Sequence, residues 1–223
     1  MVLRTASQNQ DYLRALDSFF LQRAHDLFDL FFDEAEFRLF QSAQHAASNQ
    51  QQTQILETLS QLKRQRQALE SEALAYLRNS DTARIDATNQ DSPLALVAHD
   101  VFEAQLRLDI IVRRAGQRWF EPLYCLAKRY SILHDKTIDA QDLPIGVAAI
   151  AHSVHAALRT YIPLALLPMI LQAFDSTVLL RLGDIYDALN ERMKQWDILP
   201  NLEIDLWREL HQGKIGVRPI DPL

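Results

Sequence analysis

Apolar side chains recur at steps of three and four residues along the first part of the chain, which is the spacing of one face of an α-helix. The positions that follow this step are Leu13, Leu16, Phe20, Ala24, Leu27 and Phe31. The step changes over residues 33–36, and we expect Phe37, Phe40 and Ala43 to continue as a helix or as a kinked extension. We expect all the phenylalanines of residues 28–40 to form the core of a helical hairpin: Phe28, Phe31, Phe32, Phe37 and Phe40.

A second periodic segment starts near Gln51 and predicts the other arm of the hairpin. Its repeating positions are Ile55, Leu59, Leu62, Arg66, Leu69, Ala73 and Tyr76. They alternate steps of four and three, as a coiled-coil heptad does, and only the charge of Arg66 interrupts the pattern. Two interpretations of Arg66 are open: its long side chain extends to water at the edge of the seam, or it forms an ion pair across the hairpin. The candidate partners are Asp33, Glu34 and Glu36.

The second half of the chain predicts further helices, and no run of alternating β-branched residues predicts a strand. Ser92 and Pro93 are typical of a helix start, and this helix is expected to end near Gly116. Later helices are expected at 118–133, 145–160, 164–174, 176–196 and 202–212, with Asp142 and Asp175 preceding two of the starts. We therefore predict an all-α, multi-helix bundle with a long N-terminal helical hairpin and a second helical subdomain.

Domain boundaries follow from where the periodicity fails. Residues 79–92 lack apolar periodicity and are rich in Asn, Asp, Ser and Thr, which is typical of a linker. We expect a hairpin region at 1–79, a linker at 80–92, a helical subdomain at 93–213 and a coil tail at 214–223. The proline-punctuated tail favours a chain that is a fragment of a longer protein.

Composition favours a soluble, cytoplasmic protein whose main partner is not a nucleic acid. The 223-residue chain has a net charge of -6, whereas phosphate binding needs concentrated positive charge. Its most apolar segment, residues 162–174, falls short of the roughly 20 residues that span a membrane, so we expect a buried helix and no transmembrane segment. The single cysteine, Cys125, fits a reducing compartment and a buried structural role.

The residues that carry chemistry are sparse and poorly clustered. The five glycines are well separated, and neither of the common glycine-rich phosphate-binding loops occurs. His25 with Asp29 is a helical i,i+4 pair that is typical of a surface contact. No Glu-x-x-His motif of a di-iron bundle accompanies it, and we treat His152 and His155 as structural. We expect no metal, no cofactor and no enzymatic activity.

Two basic groups are the candidate interaction or anion-binding residues. They are Lys63, Arg64 and Arg66 in the hairpin, and Arg107, Arg113, Arg114 and Arg118 in the first helix of the second half. In an acidic chain such groups are typical of solvated faces or of intramolecular partners for carboxylates. The alternative is binding of an anionic ligand or of the acidic surface of a partner.

Several blocks of sequence, in order, resemble the bacterial domain-of-unknown-function family 1631. They are FDLFFDEAEFRLF through LKRQRQALE, LALVAHDVFEAQL, EPLYCLAKRYSILHDKTID, LPIGVAAIAHSV and LLRLGDIYDALNERMKQWDILPNL. The acidic run of the family is diluted here at residues 98–103, and its Asn-Pro-x-Gly-Pro turn is replaced at 143–147. Some members carry a thymidine phosphorylase label, but no glycine-rich phosphate site or α/β pattern supports it here. The resemblance implies a scaffold or regulatory module linked to cyclic-di-GMP signalling.

The first functional hypothesis is a non-enzymatic helical scaffold or protein-interaction module of a bacterial cytoplasmic regulatory protein. Its partner would be another protein or further copies of itself, and its contact surfaces would be the hairpin at 28–70 and the helix at 179–196. The alternative hypothesis is a regulatory domain that responds to a small anionic ligand or nucleotide through the arginine-rich helix.

Overall fold

The computed structural model describes residues 5–78, 99–204 and 206, and these residues form an all-α fold. Within them there are seven α-helices and no β-strand, which confirms the predicted fold class. The helices are α1 (Ala6–Gln44), α2 (Asn49–Arg78), α3 (His99–Arg118), α4 (Phe120–His134), α5 (Val147–Tyr161), α6 (Leu167–Phe174) and α7 (Leu182–Gln195). The predicted linker at 80–92 and coil tail at 214–223 lie outside the described residues.

Helix α1 is uninterrupted over 39 residues, so the residues after 33–36 continue as part of the same helix. Neither glycine nor proline occurs between residues 6 and 44 to break it. A capping box starts the helix: Oγ1 of Thr5 accepts a hydrogen bond from the Gln8 amide, and Oε1 of Gln8 accepts one from the Thr5 amide. The helix therefore forms the whole first arm of the hairpin.

The apolar face of α1 is buried between α2 and α6. Its buried side chains are Leu16, Phe20, Ala24, Leu27, Phe28, Phe31, Phe32, Ala35, Leu39 and Ala43. Phe31 meets Phe174 of α6 edge to face, with ring centroids 5.7 Å apart. Since α2 also packs against α5, the hairpin and the second half of the protein share one hydrophobic core.

Two of the five phenylalanines assigned to the hairpin core are instead on the surface. Phe37 is 54% exposed and Phe40 is 50% exposed, so their predicted burial is wrong. The buried face continues from Phe31 to Ala35 and Leu39 at steps of four residues. Phe37 is two residues from Ala35 and two from Leu39. Because each residue turns the helix by about 100°, Phe37 points to the side of α1 opposite these buried residues.

The heptad of α2 is largely confirmed. Ile55, Leu62, Leu69 and Ala73 are buried. Tyr76 is exposed, and Leu77 takes the buried position at that turn. The heptad therefore describes the face of α2 that packs on α1 and α5 up to its last turn.

Three predicted helix boundaries in the second half are wrong. Gly116 lies inside α3 rather than at its end, and α5 begins after Gly146 rather than after Asp142. Asp175 does not precede a helix start, because its own backbone is helical with φ of -60° and ψ of -45°. It opens a π-helical turn, Asp175–Leu179, in which the amide of Leu180 bonds the carbonyl of Asp175 at 3.1 Å.

This π-helical turn joins α6 to α7 in one helical stretch, Leu164–Gln195, which is longer than the apolar segment seen in the sequence. By length and composition alone, the stretch is long and apolar enough to be a candidate membrane span. A core helix passes the same test, and 44% of its most apolar window is buried in this fold. The predicted burial of the apolar segment is confirmed for Leu167, Ile170, Leu171, Ala173 and Phe174.

Trp119, between α3 and α4, contacts the π-helical turn that follows α6 and the start of α7. Its indole Nε1–H donates a 2.8 Å hydrogen bond to the carbonyl of Leu179 at the end of the π-helical turn. Its ring lies so close to the backbone of Gly183 that a Cβ at that position would overlap the six-membered ring. Gly183 is therefore required for the contact between Trp119 and α7.

We predict that Gly183→Ala lowers the free energy of unfolding by about 1–3 kcal/mol, because the added methyl group forces Trp119 out of its place. Gly116→Ala is the matched control, since nothing lies within 4 Å of the Cβ that it adds inside α3. This control should be neutral or stabilising by about 0.5–1 kcal/mol, because alanine favours helix over glycine. Urea unfolding followed by circular dichroism measures both. Equal effects of the two substitutions would contradict the close packing of Trp119 on Gly183.

Candidate functional site

Arg66 forms a cluster of ion pairs across the hairpin, which confirms the second of its two interpretations. Its guanidinium bonds the carboxylates of Asp29 and Asp33, each at 2.8 Å, and the carbonyl of Asp29 at 2.9 Å. Glu36 is 3.9 Å away. The guanidinium also lies over the ring of Phe32, 5.3 Å from its centroid. Arg66 therefore joins the acidic side of α1 to α2.

The other two basic residues of the predicted hairpin patch differ in their surroundings. Nζ of Lys63 is 3.6 Å from a carboxylate oxygen of Glu36. Arg64 is exposed and forms no ion pair with the described residues. Two of the three predicted patch residues are thus neutralised by acids of α1, and the hairpin presents no concentrated positive charge.

The four predicted arginines of α3 are all exposed, but they do not share one face. Arg107, Arg114 and Arg118 are separated by seven and four residues, which places them along one side of the helix. Arg113 lies about 100° away from Arg114, on the outer face. Arg114 forms an ion pair with Asp175 of the π-helical turn.

The π-helical turn is also bound by α1. Nη2 of Arg38 is 3.4 Å from Oγ of Ser176, and Nε of Arg38 donates a 2.6 Å hydrogen bond to Glu34 one turn earlier on α1. Arg114 of α3 pairs with Asp175, so α1 and α3 both contact the same turn. Nothing in the sequence indicates these contacts, because Asp175 and Ser176 resemble an ordinary helix start.

Exposed apolar side chains form one stripe on α1 and another on α3. The α1 stripe consists of Leu30, Phe37 and Phe40. The α3 stripe consists of Phe102, Leu106 and Ile110, which are 47–59% exposed and repeat every four residues. Large apolar residues in phase on one helix face are typical of surfaces that bind another protein.

The helix at 179–196, the second predicted contact surface, has a different character. The apolar side chains of α7 are buried, among them Leu182, Ile185, Leu189 and Met193. The exposed positions of α7 are charged or polar, and Leu180, just before α7, is an exposed apolar residue. Among the described residues, exposed large apolar side chains that repeat along one helix face are thus found on α1 and α3, and the sequence pattern did not single out α3 as an apolar face.

Arg129 is a buried cation that the sequence did not point to. Its guanidinium donates to the carbonyls of Ile198 and Leu199 at 3.0 and 2.9 Å. It also donates to Oδ1 of Asn190 at 2.6 Å and to both carboxylate oxygens of Glu203 at 2.9 and 3.0 Å. These bonds satisfy the buried charge and fix the segment after α7, so Arg129 is a structural clamp.

A cleft of about 450 Å³ lies beside this clamp. Its lining includes Cys125, Glu121, Asp187, Lys194 and Glu203. Cys125 is buried, as predicted, and burial raises the pKa of its thiol to about 11. The thiol therefore stays protonated at neutral pH, which does not suit a nucleophile.

The histidines form structural contacts among the described residues. Nδ1 of His25 is 2.5 Å from the carboxylate of Glu70 on α2, and this hydrogen bond raises the pKa of His25. His25 was predicted to form a surface contact with Asp29, and in the structure it contacts Glu70 across the hairpin instead. Within residues 5–78, 99–204 and 206, no group of three or more histidine, cysteine or acidic side chains is arranged to hold a metal ion.

His155 is buried on α5, and burial is the main reason that its pKa falls to about 4. The positive charges of Arg159 and His152 lower this pKa further, while the carboxylate of Asp109 on α3 raises it. The imidazole is therefore neutral in the folded protein at pH 7.

Comparison with known proteins gives one result. The model of the family described as "Protein of unknown function (DUF1631) N-terminal domain" matches residues 8–197, which run from α1 to the end of α7. No curated protein and no solved structure matches the chain. The resemblance seen in the sequence is therefore confirmed over most of the chain.

We predict that Arg66→Gln lowers the free energy of unfolding by about 1 kcal/mol, because partly exposed ion pairs contribute only modestly. Arg64→Gln, two residues earlier on the same helix, is the matched control and should change stability by less than about 0.5 kcal/mol. Denaturant unfolding at low and high salt measures the difference. It should shrink at high salt, because ions screen exposed charges. A difference that does not depend on salt would contradict an electrostatic role for Arg66.

We predict that His155 makes the protein less stable as the pH falls from about 6.5 to 4. Over this range the unfolded chain binds a proton at His155 and the folded chain does not, so protonation favours unfolding by up to about 3 kcal/mol. His155→Leu should therefore flatten the pH dependence of the free energy of unfolding in this window. His45→Gln, at an exposed site beside the hairpin turn, should leave the slope unchanged. An unchanged slope for His155→Leu would contradict the neutral, buried imidazole.

Proposed function

The chain belongs to the DUF1631 family, and we propose that it is a non-enzymatic helical scaffold or protein-interaction module of a bacterial cytoplasmic regulatory protein. The observation that carries the proposal is the pair of exposed apolar stripes on α1 and α3, two helices that both contact the π-helical turn. Single exposed apolar residues are normal on a monomer, whereas large apolar side chains grouped along one helix face are typical of a binding surface.

The rigid setting of the stripes supports the same proposal. α1 and α3 are each tied to the π-helical turn, through Arg38 to Ser176 and through Arg114 to Asp175. Trp119 fixes the end of α3 to the same turn. A surface whose parts are held in place before binding loses less entropy on association. The stripes therefore have the preorganisation that a docking surface needs.

The charges at the helix contacts are already paired within the chain. Arg66 and Lys63 meet the carboxylates of α1, and the buried Arg129 is saturated by its own hydrogen bonds. These cations therefore stabilise the fold and are not available to bind an anionic ligand. Pairing of the cations within the chain favours a scaffold that binds its partner mainly through apolar contacts.

The anionic-ligand hypothesis has weaker support. Arg107, Arg114 and Arg118 line neither of the two clefts of about 440 and 450 Å³, whereas small-molecule sites are concave. Arg114 is also partly neutralised by Asp175. The link to cyclic-di-GMP signalling rests on the family resemblance, and a thermal-shift titration with cyclic-di-GMP tests direct binding. A saturable rise in melting temperature that Arg107→Ala and Arg113→Ala abolish would favour the ligand hypothesis over ours.

We predict that replacing one residue of each stripe, Phe37→Ser with Ile110→Ser, abolishes association of the chain with its protein partner or with itself. Both side chains are half exposed, so the melting temperature should change little. Ile132→Ser, at an exposed apolar position on α4 outside both stripes, is the control and should bind as the unsubstituted chain does. Sedimentation velocity measures self-association, and affinity capture from bacterial lysate with quantitative mass spectrometry measures other partners.

Two outcomes would contradict the proposal. One is an unsubstituted chain that is monomeric at all accessible concentrations and captures no protein. The other is association that survives in the doubly substituted chain, because the stripes would then not be the binding surface.

A further inference from the structure

Three cations form ion pairs between the arms of the hairpin among the described residues. Lys63 and Arg66 of α2 pair with carboxylates of α1. The third is His25 of α1, whose Nδ1 is 2.5 Å from Oε1 of Glu70 on α2. Lysine and arginine stay charged throughout the physiological pH range, whereas the ordinary pKa of histidine is about 6.5. The His25–Glu70 pair is therefore the cross-hairpin ion pair that changes charge near neutral pH.

Glu70 has the least exposed carboxylate among these pairs. Its side chain is 13% exposed, whereas that of Glu36 is 21% exposed and those of Asp29 and Asp33 are more than half exposed. Within the part of the chain that the structure describes, the ion-pair partner of Glu70 is His25. A largely buried carboxylate that loses its cation keeps the cost of lost hydration without a compensating attraction. The charge of His25 therefore decides whether Glu70 is compensated.

The other charged groups close to His25 are acidic or already paired. The hydrogen bond to Glu70 and its negative charge are the main reasons that the pKa of His25 is raised. Desolvation acts in the opposite direction, and the charges of Asp29 and Asp26 on α1 raise the pKa further. Arg66, one turn before Glu70 on α2, is bonded to Asp29. When His25 loses its proton, this group keeps its carboxylates and loses the cation that pairs with Glu70.

From this geometry we infer that the His25–Glu70 pair is a pH-dependent contact, which holds the two arms of the hairpin together more strongly below neutral pH than above it. Protonated His25 donates a charge-assisted hydrogen bond from Nδ1–H to Oε1 of Glu70. The neutral imidazole can still donate from this nitrogen, but it no longer offsets the charge of the carboxylate. The inference concerns the hairpin itself and does not depend on the proposed function.

The direction of the pH dependence follows from proton binding. Because the pKa of His25 is higher in the folded chain than in the unfolded chain, folding takes up a proton between the two values. The pair therefore stabilises the fold fully below about pH 6.5, and this stabilisation is lost as the pH rises through the folded-state pKa. His155 acts with the opposite sign, because burial lowers its pKa. The combined contribution of the two histidines is highest near about pH 6.5.

A double-mutant cycle tests the pair directly. It compares the unsubstituted chain with His25→Gln, Glu70→Gln and the double variant. Urea unfolding at about pH 6 and about pH 9 gives the coupling free energy between the two side chains at each pH. We expect a favourable coupling at the lower pH that is lost, within error, at the higher pH. The effect of His155 cancels, because all four chains contain this residue.

Nuclear magnetic resonance titration of the histidine rings gives a second measurement that does not require the double variant to fold. The pKa of His25 should lie above about 6.5 in the unsubstituted chain, and Glu70→Gln should move it down towards that value. His45 is the matched control, because its Nδ1 lies 2.8 Å from the backbone carbonyl of Gln41 on its own helix. Glu70→Gln should leave the pKa of His45 unchanged.

Three outcomes would overturn the inference. A coupling free energy that is the same at both pH values would show that the charge of His25 does not control the contact. A coupling of zero at both would show that the pair does not hold the arms together, as is found for many exposed ion pairs. A pKa of His25 that Glu70→Gln does not lower would show that the two side chains do not interact in solution.

Discussion

The π-helical turn at Asp175–Leu179 is the local constraint on which the arrangement of the helices depends. The carbonyl of Leu179 at its end accepts a hydrogen bond from the indole N–H of Trp119, which lies between α3 and α4. The same turn presents Asp175 to Arg114 and Ser176 to Arg38. One irregular turn therefore fixes α1, α3 and α4 against the core helix.

Charge and apolar surface have separate roles in this protein. The ion pairs lie at the edges of helix contacts, where Arg66 joins α1 to α2 and Arg38 joins α1 to the π-helical turn. Each contributes little to stability because it is partly exposed. The buried aromatic and aliphatic side chains contribute most of the stability, at about 25 cal/mol per Å² of apolar surface removed from water. The ion pairs mainly select the orientation in which these side chains pack.

Helical periodicity was enough to predict the fold class, the hairpin and most of the buried heptad of α2. It was enough in principle to place Phe37 and Phe40 as well, because the step from Phe31 to Ala35 and Leu39 leaves them on the other side of α1. The prediction was wrong because it treated all five closely spaced phenylalanines as core residues and did not follow the helical periodicity through them. The π-helical turn could not be predicted, because its partners Arg114 and Trp119 are about 60 residues away in sequence. The same holds for Arg129, whose partners are 61–74 residues away.

The arrangement of paired charges has a consequence for the exposed stripes. Docking removes water from every group at an interface, and a charge that loses water without gaining a partner opposes binding. Carboxylates at the contact of α1 with α2 are already bonded to Arg66, so their partner is not lost when the nearby apolar row is covered. The apolar residues of the α1 stripe can thus be buried without leaving those acids unpaired. The Arg66 cluster, which holds α1 against α2, therefore also lowers the desolvation free energy that a partner must overcome when it binds the α1 stripe. The same ion pairs thus serve both the fold and the proposed binding surface.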